Sequence, residues 1–199
     1  MNIAVLCSGN GSNLQAIIDK AKSGYIPATI ALVVSDNKDA FALTRAKSAG
    51  IETLVLSAKS FKSREEFDKE VVRNLRKKNV ELVVLAGFMR LLSSYFIKEY
   101  KNRIMNIHPA LLPSFKGTHG IKDALTYGAK VTGPTVHFVD EELDHGPIIL
   151  QKPVEIRDDD TEETLLERVH QEEHKIYPEA VKLFVEGKLR IEGRRVRIA

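Results

Sequence analysis

Residues 2–18 read NIAVLCSGNGSNLQAII, and the order of residue types in this stretch decides the fold. Asn2–Cys7 is a short, nearly continuous apolar run, Gly9 and Gly11 punctuate a loop, and Leu14, Ile17 and Ile18 then recur at helical spacing. An apolar run of strand length that leads directly into a helix is the opening half of a βαβ unit, because such a strand has no polar face to turn to water. Gly9 and Gly11 admit positive φ and close approach of a ligand to the backbone. The helix that follows aims N–H groups and a partial positive charge at the same place. Ser12 and Asn13 add side-chain donors. The stretch reads as a phosphate cradle, with a plain tight turn as the alternative. No Gly-Lys-Ser/Thr follows, and Leu14 stands where a dinucleotide fingerprint has its third glycine. Missing both nucleotide signatures points to a phosphate monoester. Cys7, on the strand, is expected to be a small buried hydrophobe.

The alternation continues downstream. Thr29–Ser35 (TIALVVS) reads as a second strand, residues 39–49 as a helix ended by Gly50, and 52–56 as a third strand. Ser63-Arg-Glu-Glu66 is a capping box that opens a helix through Arg76. Residues 81–86 and 103–107 are the fourth and fifth strands. These units predict a Rossmann-like α/β fold: an open, mostly parallel twisted sheet with helices on both faces. After Lys130 the texture changes. Residues 131–139 and 147–153 read as longer strands in antiparallel pairing, joined by the acidic loop DEELDHG. A helix is expected from Asp160, with Glu163 completing its cap, to about Glu173, and a second from near Pro178 to Gly187.

The chain has 199 residues, 43% hydrophobic and 29% charged, which suits one globular domain. No apolar run approaches the roughly 20 residues that span a bilayer, and the first residues lack the basic and apolar regions of a signal peptide. The single cysteine excludes an internal disulfide and a cysteine-based zinc site, and fits a cytoplasmic location. Net charge is +3, but residues 188–199 hold five basic side chains against one acid, so the rest of the chain carries −1. That basic end is expected to be a solvated edge hairpin and not a nucleic-acid surface.

The fifth strand runs into Met105-Asn-Ile-His-Pro-Ala-Leu-Leu-Pro113. Asn106 and His108 lie two apart and so share a face. An amide that donates to a developing oxyanion, beside an imidazole that moves protons near neutral pH, suits acyl chemistry. Alone, the pair is equally a turn cap and a structural histidine. The loop Asp140–Gly146 carries several carboxylates, one of which could stand by His108 and stabilise its charged form. Spacing does not say which. His137, on the strand TVHFV, is either a core histidine or a partner of the site.

Together these segments resemble the phosphoribosylglycinamide formyltransferases of the folate-dependent formyltransferase superfamily. The resemblance runs through SGNGSNL at 8–14, VVSDN at 33–37, SREEFD at 63–68, LAGFMRLLS at 85–93, NIHPALLPSFKG at 106–117, GPTVHFVDEELDHGPIILQ at 133–151 and RVHQEEHKIYP at 168–178. It implies transfer of a formyl group from 10-formyltetrahydrofolate, as co-substrate and without a metal, to the amine of a phosphoribosylglycinamide in purine biosynthesis. Asn106, His108 and Asp144 are the implied catalytic residues. Gly11, Ser12 and Asn13 are implied to hold the phosphate, with His170, Gln171, Glu172 and Glu173 on the rest of that substrate. Arg64, Met89, Arg90, Leu91 and Leu92, together with Asn106, Asp140, Glu141, Glu142, Leu143 and Asp144, are implied folate contacts. The expected organisation is one formyltransferase domain over 1–199, its phosphosugar-binding half at 1–100 and its catalytic and folate half at 101–199. The implied partners are small molecules, with no nucleic acid and no membrane, and a homodimer stays open.

Relatives that formylate methionyl-tRNA or hydrolyse the folate donor carry additional domains, for which 199 residues leave no room. Formyl transfer to a different amine is the near alternative. A more distant one is a zinc protease, since His170-Gln-Glu-Glu-His174 fits the His-x-x-Glu-His pattern, although that leaves the glycine loop unexplained.

Overall fold

The structure, a computed structural model, describes residues 1–199 and resolves into two compact units, Met1–Met105 and Asn106–Ala199. In the first, β1 (Asn2–Cys7), α1 (Ser12–Lys22), β2 (Thr29–Ser35), α2 (Phe41–Ser48), β3 (Thr53–Val55), α3 (Arg64–Lys77), β4 (Val80–Leu85) and α4 (Ser94–Glu99) follow one another, and β5 (Ile104–His108) carries the chain into the second. The sheet order here is β4–β1–β2–β3, and β1 pairs in parallel with both β2 and β4, as β2 does with β3. Residues 3–7 of β1 are fully buried, which is why that strand has no polar side. Leu14, Ile17 and Ile18 form the buried stripe of α1. Each such side chain contributes about 1.5–3 kcal/mol on leaving water.

The predicted capping box at Ser63 is half reciprocal. Ser63 Oγ accepts from Glu66 N–H at 3.1 Å, but the Glu66 carboxylate accepts from Lys62 N–H, one residue short of the cap. Ser63 itself is extended, at φ −149°.

In the second unit, α5 (Gly120–Tyr127), β6 (Val131–Thr132), β7 (Thr135–Phe138), β8 (Ile148–Gln151), β9 (Val154–Glu155), α6 (Glu162–Val185), β10 (Leu189–Glu192) and β11 (Arg195–Ile198) follow β5. The order β7–β8–β11–β10 gives the mostly parallel sheet its antiparallel edge, with β7–β8 and β10–β11 antiparallel and β11 parallel to β8. The basic end is thus the edge hairpin expected for it.

Three expectations are corrected here. Residues 131–139 are not one strand. Gly133, at φ 141°, breaks the run, and a Cβ there would meet Lys152 O at 1.9 Å. β6 therefore leaves for a separate two-stranded sheet with β9. The two expected helices are a single α6 through Pro178. A buried stripe at Leu165, Val169, Glu173, Tyr177 and Val181 continues unbroken past the proline, and its burial offsets the roughly 3 kcal/mol that an interior proline costs. The cap of α6 is Thr161 with Thr164, not Asp160 with Glu163. Asp160 stands one residue outside it, accepting from Arg168 Nη1 at 2.7 Å and Nη2 at 2.5 Å, from Arg157 N–H at 2.7 Å and from the Thr164 hydroxyl at 2.9 Å. No helix is long and apolar enough to cross a membrane.

Candidate active site

Within the first unit, Gly11 caps α1 in the left-handed region at φ 75°, and a Cβ there would lie 2.6 Å from the Cβ of Ala42. Only glycine fits. No side chain caps α1 and no acid stands in its first turn, so the positive end of the helix faces the loop uncompensated. The loop itself is held: Arg45 donates to the carbonyl of Asn10 at 3.0 Å and to its side-chain oxygen at 3.1 Å, and Ala42 N–H donates to Gly9 O at 3.1 Å. Such a loop can receive an anion with little rearrangement. Cys7 is fully buried, its thiol 3.6 Å from Val34 O and pushed up to about 12 by burial, with Asp36 adding to the shift. It is the inert hydrophobe expected.

The segment after β4 is tied to this loop. Ser8 N–H donates to Gly87 O at 3.0 Å, and Ser8 Oγ accepts from Met89 N–H at 3.0 Å. Met89 and Leu91 are 71% and 57% exposed, so they are not core side chains, and Leu92 is half-buried. Arg90 lies 5.0 Å over the Phe67 ring, and Arg64, at the first position of α3, is exposed. Buried Asp68 anchors the far end of the segment by accepting from Ser93 N–H at 2.6 Å. Its carboxyl is raised by desolvation, against the lowering effect of the Ser93 bonds, Arg64 and Arg90.

Within the second unit, four polar side chains converge on the carboxyl end of β5. His108 is 3% exposed, with Nδ1 3.4 Å from Asp144 Oδ2 and Nε2 2.7 Å from Phe115 O. His137 Nε2 lies 3.2 Å from Asn106 Nδ2 and 3.8 Å from Asp144 Oδ1, and its Nδ1 lies 2.8 Å from Phe138 O. A carbonyl only accepts, so Nδ1 of His137 carries its proton and Nε2 is an acceptor. That assigns the Asn106 amide: its NH2 faces His137. Burial lowers the affinity of His137 for a second proton, outweighing the opposing pull of Phe138 O and Asp144. By the same reasoning Nε2 of His108 carries a proton, since Phe115 O accepts it. A second proton on Nδ1 would then face the Asp144 carboxylate. The ring thus lies between a carbonyl and a carboxylate.

Asp144 reaches this position from a strained loop. Its φ is 46°, its Oδ2 also accepts from Gly117 N–H at 2.8 Å, and a Cβ on Gly146 would meet Phe138 O at 1.8 Å. Behind His108, the exit segment is braced by Thr135. Its hydroxyl donates to Ala110 O at 2.6 Å and accepts from Leu112 N–H at 3.0 Å, and Gln151 donates to both Thr135 Oγ1 and Leu112 O at 2.9 Å.

The structure therefore brings Asn106, His108 and Asp144 together, and adds three groups that sequence did not assign. The sequence leaves His137 between core and site, and Phe115 O and Gly117 N–H are backbone groups without a side-chain signature. Asp140 lies at the start of the acidic loop, paired with His145 at 2.8 Å, while Glu141, Glu142 and Leu143 are exposed at its tip. On α6, His170 and His174 stack with ring centroids 6.2 Å apart. His170 Nε2 lies 4.0 Å from buried Glu173, Glu172 pairs with Lys175 at 2.7 Å, and Gln171 is exposed. Burial holds the His170 imidazole below the ordinary histidine range.

The formyl transferase family pattern matches residues 1–181. Phosphoribosylglycinamide formyltransferase of Escherichia coli is 48% identical over 191 residues, covering 96% of this chain and 90% of that protein. The trifunctional purine biosynthetic protein adenosine-3 of Homo sapiens is 46% identical over 189 residues, or 95% of this chain but 19% of that protein. A crystal structure of glycinamide ribonucleotide transformylase 1 from Symbiobacterium toebii matches with a TM-score of 0.98 and 49% identity, covering 100% of this chain and 93% of that one. The chain thus spans nearly all of the bacterial relative and about a fifth of the human one.

Proposed function

The chain belongs to the formyl transferase family, and on that premise we propose that it moves the formyl group of 10-formyltetrahydrofolate to the amine of phosphoribosylglycinamide. The observation that carries the chemistry is the contact of His108 with Asp144 at 3.4 Å, beside an Asn106 whose NH2 is oriented by His137.

The substrate amine attacks the formyl carbon, and negative charge develops on the formyl oxygen. Asn106 keeps one N–H on His137 and has the other for that oxygen. His108, as imidazolium, supplies the second donor, with Asp144 balancing its charge. For this the Nε2 proton of His108 must leave Phe115 O, so the Phe115 carbonyl has to turn away when substrates bind. The attacking nitrogen then sheds a proton and the folate nitrogen takes one up as its bond to the formyl carbon breaks. His108 and Asp144 are the groups that relay it. Gly11, Ser12 and Asn13 hold the phosphate monoester, and His170 to Glu173 serve the remainder of that substrate. Arg64, Met89 to Leu92 and Asp140 to Asp144 serve the folate, the exposed apolar pair Met89 and Leu91 offering surface to its ring. A reducing cytoplasm suits a chain whose one cysteine is a buried free thiol.

The test is a spectrophotometric assay of folate product with both substrates and a chelator present, comparing the parent with His108→Ala. Product from the parent alone is expected. A folded parent that makes none overturns the reading, and equal turnover in both removes His108 from the proton path.

A further inference from the structure

The acidic loop that presents Asp144 is held from the side by the basic C-terminal hairpin. Arg194 sits in the two-residue turn between β10 and β11, with Gly193 before it at φ 60°. Its guanidinium donates through Nη2 to the backbone carbonyl of His145 at 2.5 Å, and its Nη1 lies 3.0 Å from His145 Nε2 and 3.3 Å from Nδ1. Nδ1 of the same ring meets Asp140 Oδ2 at 2.8 Å. The guanidinium thus lies against both ring nitrogens, and the ring bridges it to the Asp140 carboxylate. One side chain therefore holds the carbonyl that follows Asp144, the ring of His145 and, through it, the first residue of the loop. The strand pairing brings the two segments together: Arg195 pairs with Ile148, so Arg194 and the 145–146 peptide both lie just before that bridge. Arg194 and Asp144 also line one cavity, of about 390 Å³, with Lys116, Gly146 and Ile148.

We infer that Arg194 is a positioning residue for formyl transfer, clamping the 140–146 loop so that the carboxylate of Asp144 stays at His108. This rests on the proposed function. It also gives the basic end of the chain a structural purpose that its charge alone does not suggest. The geometry asks for a fork: a lysine reaches the carbonyl or the ring, not both. Asp144 sits at φ 46°, so without the clamp the loop has a lower-energy backbone to relax into.

The experiment uses the full chain as parent, Arg194→Ala and Arg194→Lys, with two readouts. Amide hydrogen exchange over residues 140–146, with α6 as internal control, reads the clamp. Steady-state kinetics with both substrates reads its effect. Faster loop exchange with unchanged α6, and a kcat about tenfold lower with little change in KM for phosphoribosylglycinamide, is expected for Arg194→Ala. Arg194→Lys is expected between the two. Loop exchange identical to the parent overturns the clamp, and faster exchange with parental kcat overturns its role in transfer. An inactive parent overturns formyl transfer itself, while the exchange data still decide the clamp.

Discussion

His137 Nε2 stands 3.2 Å from Asn106 Nδ2, while His137 Nδ1 is turned to the carbonyl of its own neighbour Phe138 at 2.8 Å. A backbone carbonyl thus sets the tautomer of a buried histidine, and that histidine sets which way an amide points. Replacing His137 by Leu frees the amide to flip and offer its oxygen to the oxyanion. The expected loss in kcat is about a hundredfold, comparable to removing an oxyanion donor, with KM values little changed. His137→Gln keeps an acceptor within reach and is expected to recover part of it. Steady-state kinetics of the two variants checks this, and equal losses would remove the orienting role.

The same residue gives a pH prediction for stability. Burial holds the His137 imidazole below the ordinary histidine range, so the unfolded chain binds a proton there that the folded chain refuses. The stability it contributes is complete above about pH 6.5 and is lost as pH falls through the folded-state value. Urea unfolding of the parent is expected to weaken from pH 7 to 5 more than that of His137→Gln. Parallel curves would contradict the assignment.

Asp160 has the opposite chemistry but the same sign. Arg168, and the Arg157 N–H and Thr164 hydroxyl beside it, hold its carboxyl well below the usual carboxylate range despite the counteracting cost of burial. Asp160→Asn is expected to cost about 1.5–3 kcal/mol at neutral pH, the range for hydrogen bonds to charged groups. Stability from Asp160 is present above its unfolded value and lost as pH falls, so the gap between parent and variant should narrow in acid. Chemical denaturation at pH 7 and pH 3 measures that gap.

Gly11 answers to both conformation and contact. Its φ of 75° disfavours any Cβ, and Ala42 occupies the space one would need. Gly11→Ala is expected to destabilise by about 1–3 kcal/mol and to raise KM for phosphoribosylglycinamide more than it lowers kcat. Adding Ala42→Gly removes the nearer contact but leaves the φ penalty and the Ala42 Cα, 2.8 Å from the new Cβ, so at most partial recovery of thermal stability is expected. Full recovery would mean that backbone conformation contributes nothing.

The sequence signals that worked were local. Apolar runs followed by i, i+3, i+4 stripes located the strands and the longer helices of the first unit, since each of those elements buries its own pattern, but the six-residue α4 gave too short a stripe to be read. Asn106 and His108 were legible as same-face residues of a strand, because the alternation is intrinsic to the backbone. What failed depended on contacts distant in sequence. Pro178 reads as a boundary from its own residue type, and the buried stripe on both sides of it carries the helix through. Gly133 gave no warning that Lys152 O packs against its Cα. Asp160 resembled a helix cap because its partner, Arg168, lies two turns away. The site had the same division. Asp144 was named by resemblance, not by spacing, and the backbone groups of Phe115 and Gly117 that complete the surroundings of His108 leave no mark on side-chain chemistry.

Asp144 itself supports the sharpest of the kinetic expectations. Its Oδ2 serves two neighbours, Gly117 N–H at 2.8 Å and His108 Nδ1 at 3.4 Å, and its φ of 46° is one that Asn also tolerates. Asp144→Asn therefore preserves the loop and removes only the charge. An amide that still accepts from Gly117 keeps its oxygen at the Oδ2 position and puts its NH2 on the Oδ1 side, towards His137 Nε2, so a proton on Nδ1 of His108 meets a neutral oxygen instead of a carboxylate. With the imidazolium no longer balanced, kcat is expected to fall by about 10²–10⁴, the range for losing acid–base assistance, while stability changes little. Asp144→Ala, which frees Gly117 N–H as well, is expected to lose thermal stability in addition. Near-parental kcat in Asp144→Asn would show that the carboxylate's role is to hold the loop, with its charge playing no part in the transfer.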